Sequence, residues 1–517
     1  MATKTASIGD VVNEFSVADS RRAIVLYITL VRSEGFGDKM FKSLLHSCCF
    51  SVGLIVLSIV PTSALTLKEA VDEALKSNPE ILQSAQNREA VEFELRQARG
   101  LYLPTLDLVA SAGGRKLDSP GRRRLGEEDD TLNAADVGLS FTQTLFDGGA
   151  RRAEIERQAA RVDGASFRVA ERSEAIALAV SQEYFEILLQ AEIVAIARNN
   201  ANVLSGIVSD ISSGVSGGTL TSADRTQGRE RLLSAQARLK EAEEDLAQAQ
   251  IRFLRLVGLK LGSMKYPPSI AKALPRSAAE AVDIARRQSP RIAASSADVD
   301  AADALARGAK AAYLPVISFE ANARVGKDID GSEGRTSDLE AKVVARWNLY
   351  KGGRDQAVEQ ERIRRASESR MENVRVHREV QESIQSAWDK RSKRAQQASI
   401  LREQVSAAGS LVSSYRDQFR VGERSLLDVL SAQNTRFNTE VLAKTAQYAA
   451  VYADYQTLAA MGALVRVFNL EGAPQSEAYA REEFQAVSNE VEPVYNRLPS
   501  RQVSGAPFDL LAPVRKN

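Results

Sequence analysis

The chain repeats itself, and this repeat constrains the fold more than any other feature. Asn78-Pro79-Glu80 has a counterpart in Ser289-Pro290-Arg291, and Tyr102-Leu103-Pro104 returns as Tyr313-Leu314-Pro315, both 211 residues later. Phe146-Asp147-Gly148-Gly149 matches Tyr350-Lys351-Gly352-Gly353, and Gly218 with Asp224 matches Gly422 with Asp428, at a spacing of 204. Chance likeness would scatter the offsets, whereas one length change between the YLP and Gly-Gly landmarks accounts for every pair. We therefore read two copies of one plan, residues 65–264 and 265–470.

Each copy runs in the same order. A helix (residues 67–101 and 278–312) leads into YLP, a strand, a polar loop, a second strand and Gly-Gly. A very long helix follows (150–212 and 354–420), then a glycine-containing turn and a return helix (222–257 and 426–464). Proline is absent from Ala150 to Gly262 and from Lys351 to Glu471, which removes the strongest helix breaker from those stretches. A helix of roughly 65 residues extends about 100 Å, longer than a compact domain allows. Only 14 prolines and 6% aromatics among 517 residues fit long helices. Ala387, Ala395, Ala398, Leu401, Val405, Ala408 and Leu411 recur at helical steps and predict a packed hairpin seam.

The strands carry the functional weight. Leu106, Leu108, Ala110 and Ala112 alternate with Asp107, Val109 and Ser111, and Val137, Leu139, Phe141 and Leu145 with Gly138, Ser140, Thr142 and Thr144. In the second copy Ile317, Phe319, Ala321 and Ala323 alternate with Ser318, Glu320, Asn322 and Arg324. Leu339, Ala341, Val343, Ala345, Trp347 and Leu349 alternate with Glu340, Lys342, Arg346 and Asn348. A period of two with charge on one face suits a wall between lipid and a wet lumen. Tyr102, Phe146, Tyr313, Trp347 and Tyr350 at the segment ends fit an interfacial girdle. The loops Asp118–Thr131, with Arg122-Arg123-Arg124, and Lys327–Asp338 are polar and are expected outside the cell. Lipid tolerates no open sheet edge, so four strands cannot span a bilayer alone; chains must pool them, and three copies make about twelve. Soluble hairpins packed on the helices are the competing reading of the same pattern.

Met40–Ala64 reads as a secretory signal, with Lys42, an apolar run from Cys48 to Val60, and Thr62 and Ala64 before Leu65. An uncleaved amphipathic or membrane helix is the alternative. Residues 1–39 read as an upstream extension from an early start codon. Processing removes Cys48, Cys49 and His46 and leaves His377, so no disulfide, thiolate or Cys-rich metal site is available. The apolar run follows the cysteines, which is the wrong order for lipidation. His377, in a charged helix, reads as a surface or seam residue. Lys plus Arg is 68 against 67 acids, so nothing marks a nucleic-acid partner. No phosphate loop or metal cluster supports an enzyme or a cofactor.

"TLKEAVDEALKSNPEI", "ARGLYLPTLDL", "FTQTLFDGGARRAEIE" and "YRDQFRVGERSLLDVLSAQNTRFNTE", in that order, resemble the TolC-like outer-membrane efflux proteins over nearly all of residues 65–470. The resemblance implies an α+β membrane protein: a homotrimer whose twelve-stranded barrel, four strands per chain, continues as an α-helical coiled-coil tunnel across the periplasm. It implies an outer-membrane location with lipid around the barrel, a periplasmic adaptor of the membrane-fusion type, and an inner-membrane ABC or RND transporter. Passive export of drugs, amphiphiles or proteins would follow. It also implies a periplasmic gate at the turns carrying Gly218 and Gly422, with Arg424 as gate arginine, Asp224 its partner and Asp428 in a constricting acidic ring. Phe419 stands at the gating tyrosine's position and Ser431 at that of a second ring aspartate. Tyr102, Pro104, Gly148, Gly149, Tyr313, Pro315, Gly352 and Gly353 mark the strand–helix junctions. Helix capping and surface charge offer an ordinary account of the three gate charges. A periplasmic coiled-coil adaptor or scaffold is the alternative function. Residues 471–517 fall outside the resemblance and read as a polar tail with little structure.

Overall fold

The computed structural model describes residues 65–259 and 262–486. The upstream extension, the signal segment and residues 487–517 lie outside them. Twice the chain forms two short helices, an antiparallel strand pair and a helical hairpin. The first pass is α1 (Leu67–Ser77), α2 (Pro79–Gly100), β1 (Thr105–Lys116), α3 (Pro120–Leu125), β2 (Thr131–Phe146), α4 (Ala150–Ser216) and α5 (Ser222–Val257). The second is α6 (Ala278–Gln288), α7 (Pro290–Ala309), β3 (Val316–Lys327), β4 (Arg335–Arg346), α8 (Arg354–Arg420) and α9 (Leu426–Ala460). Then come α10 (Leu464–Val467), a 3₁₀ turn (Pro474–Ser476) and α11 (Ala480–Glu483).

The single helices expected before each YLP are in fact broken in two. Pro79 disfavours the helical basin for the residue before it, and Asn78 sits at φ −68°, ψ 125°. Its side chain accepts the Glu80 amide at 2.9 Å and so starts α2 as it ends α1. Ser289-Pro290 divides α6 from α7 in the same way, with Ser289 at φ −68°, ψ 120°.

The helices α4 and α8 hold 67 residues each, about 100 Å along the axis at 1.5 Å per residue. Their return helices pack on them through seams of small residues. In α5 the buried positions Gly228, Ala235, Ala242 and Ala249 fall seven apart, a coiled-coil repeat whose small side chains let the backbones approach closely. The α8 seam differs in part from the stripe expected of it: Ala398 and Ala408 are buried, but Ala395 and Leu411 are exposed. A seven-residue seam drifts from the straight helical stripe on which all seven residues could be placed.

Rings lock the base of the bundle. Tyr184, Phe185, Phe253, Tyr448, Tyr455 and Phe468 share one buried cluster, with Phe185 and Tyr455 edge to face at 5.0 Å. The Tyr184 hydroxyl donates to a backbone carbonyl, 2.6 Å from that of Lys265 and 2.8 Å from that of Leu65, tying α4 to the residue just before α1 and to the segment after α5.

Of the tail expected to have little structure, residues 471–486 are folded onto the helices; its remainder lies outside the described residues. Asp163 of α4, 3% exposed, accepts the amides of Tyr479, Ala480 and Arg481 and the Arg481 Nε at 2.8 Å. Arg481 also donates to Asp300 of α7 at 2.6 Å. Ala480 is buried with Val91, Leu95, Ala159, Val162 and Ala165. Polar composition concealed a strap whose acids wait on other helices.

Candidate functional site

The strands form one antiparallel sheet in the order β1-β2-β3-β4, so β1 and β4 are free edges. Residues directly opposite share a face. One face carries the rungs Leu106–Phe141–Ala321–Ala341, Leu108–Leu139–Ala323–Leu339 and Ala110–Val137–Val325–Ser337. The other carries Thr105–Thr142–Glu320–Lys342, Asp107–Ser140–Asn322–Glu340 and Val109–Gly138–Arg324–Asp338. Among the described residues no helix covers the apolar face: Leu108 is 70% exposed, Leu339 81% and Val343 64%. A soluble sheet would bury that face, so the soluble-hairpin alternative does not describe this fold.

On the polar face Asp136 accepts from Arg324 at 2.9 Å and from Ser111, Glu320 pairs with Arg346 at 2.8 Å, and Glu340 with Lys342 at 2.9 Å. The loops at the far end are folded together instead of being merely polar. Arg122, 4% exposed, donates to the Glu127 carbonyl and, at 3.1 Å, to that of Gly331 in the opposite loop.

At the near end each strand pair turns into its long helix through two glycines in the left-handed region, Gly148 (φ +68°) with Gly149 (φ +89°) and Gly352 (φ +63°) with Gly353 (φ +79°). That conformation strains any residue with a Cβ. Tyr102 lies under Arg151, 4.4 Å from guanidinium to ring. The Tyr313 hydroxyl donates to Glu359 at 2.9 Å, and its carbonyl accepts the Trp347 indole at 3.1 Å. Pro104 and Pro315 precede β1 and β3, where a missing amide does no harm.

The turns carrying Gly218 (φ +73°) and Gly422 (φ +82°) lie at the opposite ends of α4 and α8. Within one chain the two expected gate acids do helix-capping work. Asp224 and Thr221 form a capping box, the Thr221 amide donating at 2.9 Å, and the Thr221 hydroxyl and amide hold the Asp224 carboxyl below its usual range. Asp428 makes the same box with Ser425. Among the described residues Arg424 meets neither aspartate; it donates to Gln418 at 3.0 Å and lies 4.6 Å over the Tyr415 ring. Phe419 packs on the cluster of Ala201, Leu204, Ile211, Leu426 and Leu430, and Ser431 is exposed.

Tyr415 and Gln418 were not singled out from the sequence, although an aromatic one helical turn before Phe419 was a readable signal. Nor was the buried Gln433–Asn200 hydrogen bond of 3.0 Å that joins α9 to α4. Asn200 lies in mid-helix with no spacing to mark it. His377 is half-buried on α8, where desolvation and the nearby Arg286 lower its pKa, in line with a seam residue.

Long helical hairpins bearing an uncovered amphipathic sheet define a membrane-embedded class of protein. The sequence model of the outer membrane efflux protein family matches residues 70–259 and 281–463, and the chain belongs to that family. It is therefore an outer-membrane protein of the TolC-like efflux group. Outer membrane efflux protein BepC of Brucella suis is 24% identical over 400 residues, 77% of this chain and 85% of its own. Outer membrane protein TolC of Escherichia coli is 28% identical over 189 residues, 35% of this chain and 36% of its own. The Campylobacter jejuni CmeC outer membrane channel superposes with a TM-score of 0.68 at 16% identity, over 81% of this chain and 89% of that one. These similar proteins are efflux and channel proteins, not enzymes.

Proposed function

We propose that three copies of this chain close a twelve-stranded barrel in the outer membrane and continue it as a helical tunnel through the periplasm. The observation that carries this reading is the sheet: one apolar face without cover and two unpaired edges, β1 and β4. Both deficits disappear when lipid covers the face and the edges of neighbouring copies pair. The helices repeat the situation, since α5 exposes Leu233 and Ile251, and α8 exposes Met371, Ile400 and Leu411, on surfaces free for a neighbouring copy.

The assembled duct exports solutes passively and takes its energy from an inner-membrane transporter through a periplasmic adaptor. Residues 65–264 and 265–470 are its duplicated halves, behind a cleaved signal at 40–64. Its gate lies at the turns around Gly218 and Gly422, where Asp224, Arg424 and Asp428 meet the equivalent turns of neighbouring copies, alongside Phe419 and Ser431. Arg424→Ser loosens the closed state and raises single-channel conductance in planar bilayers. Detergent-extracted protein with three times the chain mass and heat-modifiable migration supports the assembly; a water-soluble monomer refutes it.

A further inference from the structure

The packing of one hairpin on the other inside the chain is a template for the packing of one copy on the next. Each position of the first hairpin has a counterpart 204 residues later, and the register holds through the fold: Gly228, Ala235, Ala242 and Ala249 are buried in α5 and their counterparts Ala432, Thr439, Ala446 and Ala453 in α9. Within the chain α4 packs on α9. Leu178 and Ala459 line one cavity of this seam and Leu189 and Tyr448 another; Ile196 joins the cluster of Phe437, and Gln433 donates to Asn200 at 3.0 Å. In a ring of alternating hairpins the next step sets α8 of one copy on α5 of its neighbour. The same four contacts then become Glu382 with Arg255, Lys393 with Glu244, Ile400 with Leu233 and Gln404 with Arg229. All eight of these side chains are exposed in the single chain. Phe437 and Tyr448 are 7% and 4% exposed, whereas Leu233 and Ile400 are 55% and 65%.

From this correspondence we infer that copies join through a seam matched in sign, Glu382 of one with Arg255 of the next and Lys393 with Glu244, beside an apolar contact of Ile400 on Leu233. The inference rests on the three-copy reading above. Among the described residues Glu382 and Arg255 have no ion-pair partner, and Glu244 accepts the Gln248 side chain at 3.1 Å. The other charges on these stretches are settled within one chain: Lys393 holds Asp389 at 2.8 Å, Arg252 holds Glu183 at 3.1 Å and Lys240 holds Glu243 at 2.8 Å. The seam inside a chain is thus largely apolar and the seam between copies charged. Packing α8 on the α9 of another copy would set Glu382 and Lys393 against Ala459 and Tyr448. Packing α4 on another α5 would set Arg255 and Glu244 against Leu178 and Leu189. Either arrangement desolvates charge without a partner. Copies therefore join second repeat to first, a head-to-tail contact that closes into a ring.

The test is the dissociation rate of the full-length trimer in detergent at low salt. Glu382→Lys with Lys393→Glu on α8, or Arg255→Glu with Glu244→Lys on α5, is expected to raise the rate by about tenfold or more, and all four together to bring it back to within about threefold of wild type. At about 1 M KCl, where screening falls to about 3 Å, most of the difference disappears. Where a reversed pair fails to assemble, oxidation of Ile400→Cys with Leu233→Cys decides, the expected product being a ladder ending at three chains. A wild-type trimer indifferent to both reversals overturns the inference and leaves the barrel reading standing. So does a fourfold variant no longer-lived than its parents, or the absence of cross-links between copies. A wild-type monomer overturns both.

Discussion

Two buried acids show how much rests on single side chains. Arg481 is the shared partner of Asp163 and Asp300, which are 3% and 2% exposed. Arg481→Ala leaves the buried Asp163 carboxylate without its cation and is expected to destabilise the folded chain by about 3 kcal/mol, read as a lower unfolding midpoint in detergent; Arg481→Lys recovers part. Glu174, buried in α4, accepts the amides of Leu464 at 2.9 Å and Val465 at 3.1 Å. Burial pushes its pKa up to about 7 from 4.5, against the pull of those amides. A raised folded pKa means the folded state holds the proton more tightly. The stabilisation is complete below about 4.5 and is lost as pH rises through about 7. Wild type should therefore gain stability from pH 8 to pH 5 relative to Glu174→Gln; equal pH profiles for the two proteins would remove this role.

At the scale of elements, matching elbows need not be equally sensitive. A Cβ on Gly148 would lie 2.9 Å from the Leu314 Cβ and 3.2 Å from the Ala311 Cα, whereas one on Gly352 would meet nothing within 4 Å. Both glycines have positive φ. Gly352→Ala should cost about 1 kcal/mol for backbone strain alone, and Gly148→Ala clearly more because the turn between α7 and β3, with Ala311 and Leu314, must move aside. The melting temperatures of the two variants, measured side by side, test the order. Periodicity made the strands, the long helices and the turns legible, because each depends on a repeating pattern or a residue with a backbone preference. It did not show the breaks at Asn78 and Ser289, where a local proline effect overrides a continuous amphipathic stripe, nor the strap, whose contacts cross hundreds of positions in the chain.

For the whole molecule the decisive question is what lies beyond β1 and β4. The only cysteines, Cys48 and Cys49, lie within the proposed signal, so cysteines placed on the two edges report without background. Oxidation of chains carrying one cysteine on each edge, scanned along the strands, should give a ladder ending at three chains; intrachain links alone would exclude pairing between copies. The duplication, the alternation of the strands and the length of the helices could be read from the sequence alone, since periodicity follows from backbone geometry. The partners of the charges came with the fold. Asp224 and Asp428 cap their own helices, Arg424 rests on Tyr415, and Asp163 holds a strap some three hundred residues away. The reason is physical: a period needs only local geometry, whereas an ion pair is chosen by whichever groups the fold brings within a few ångströms.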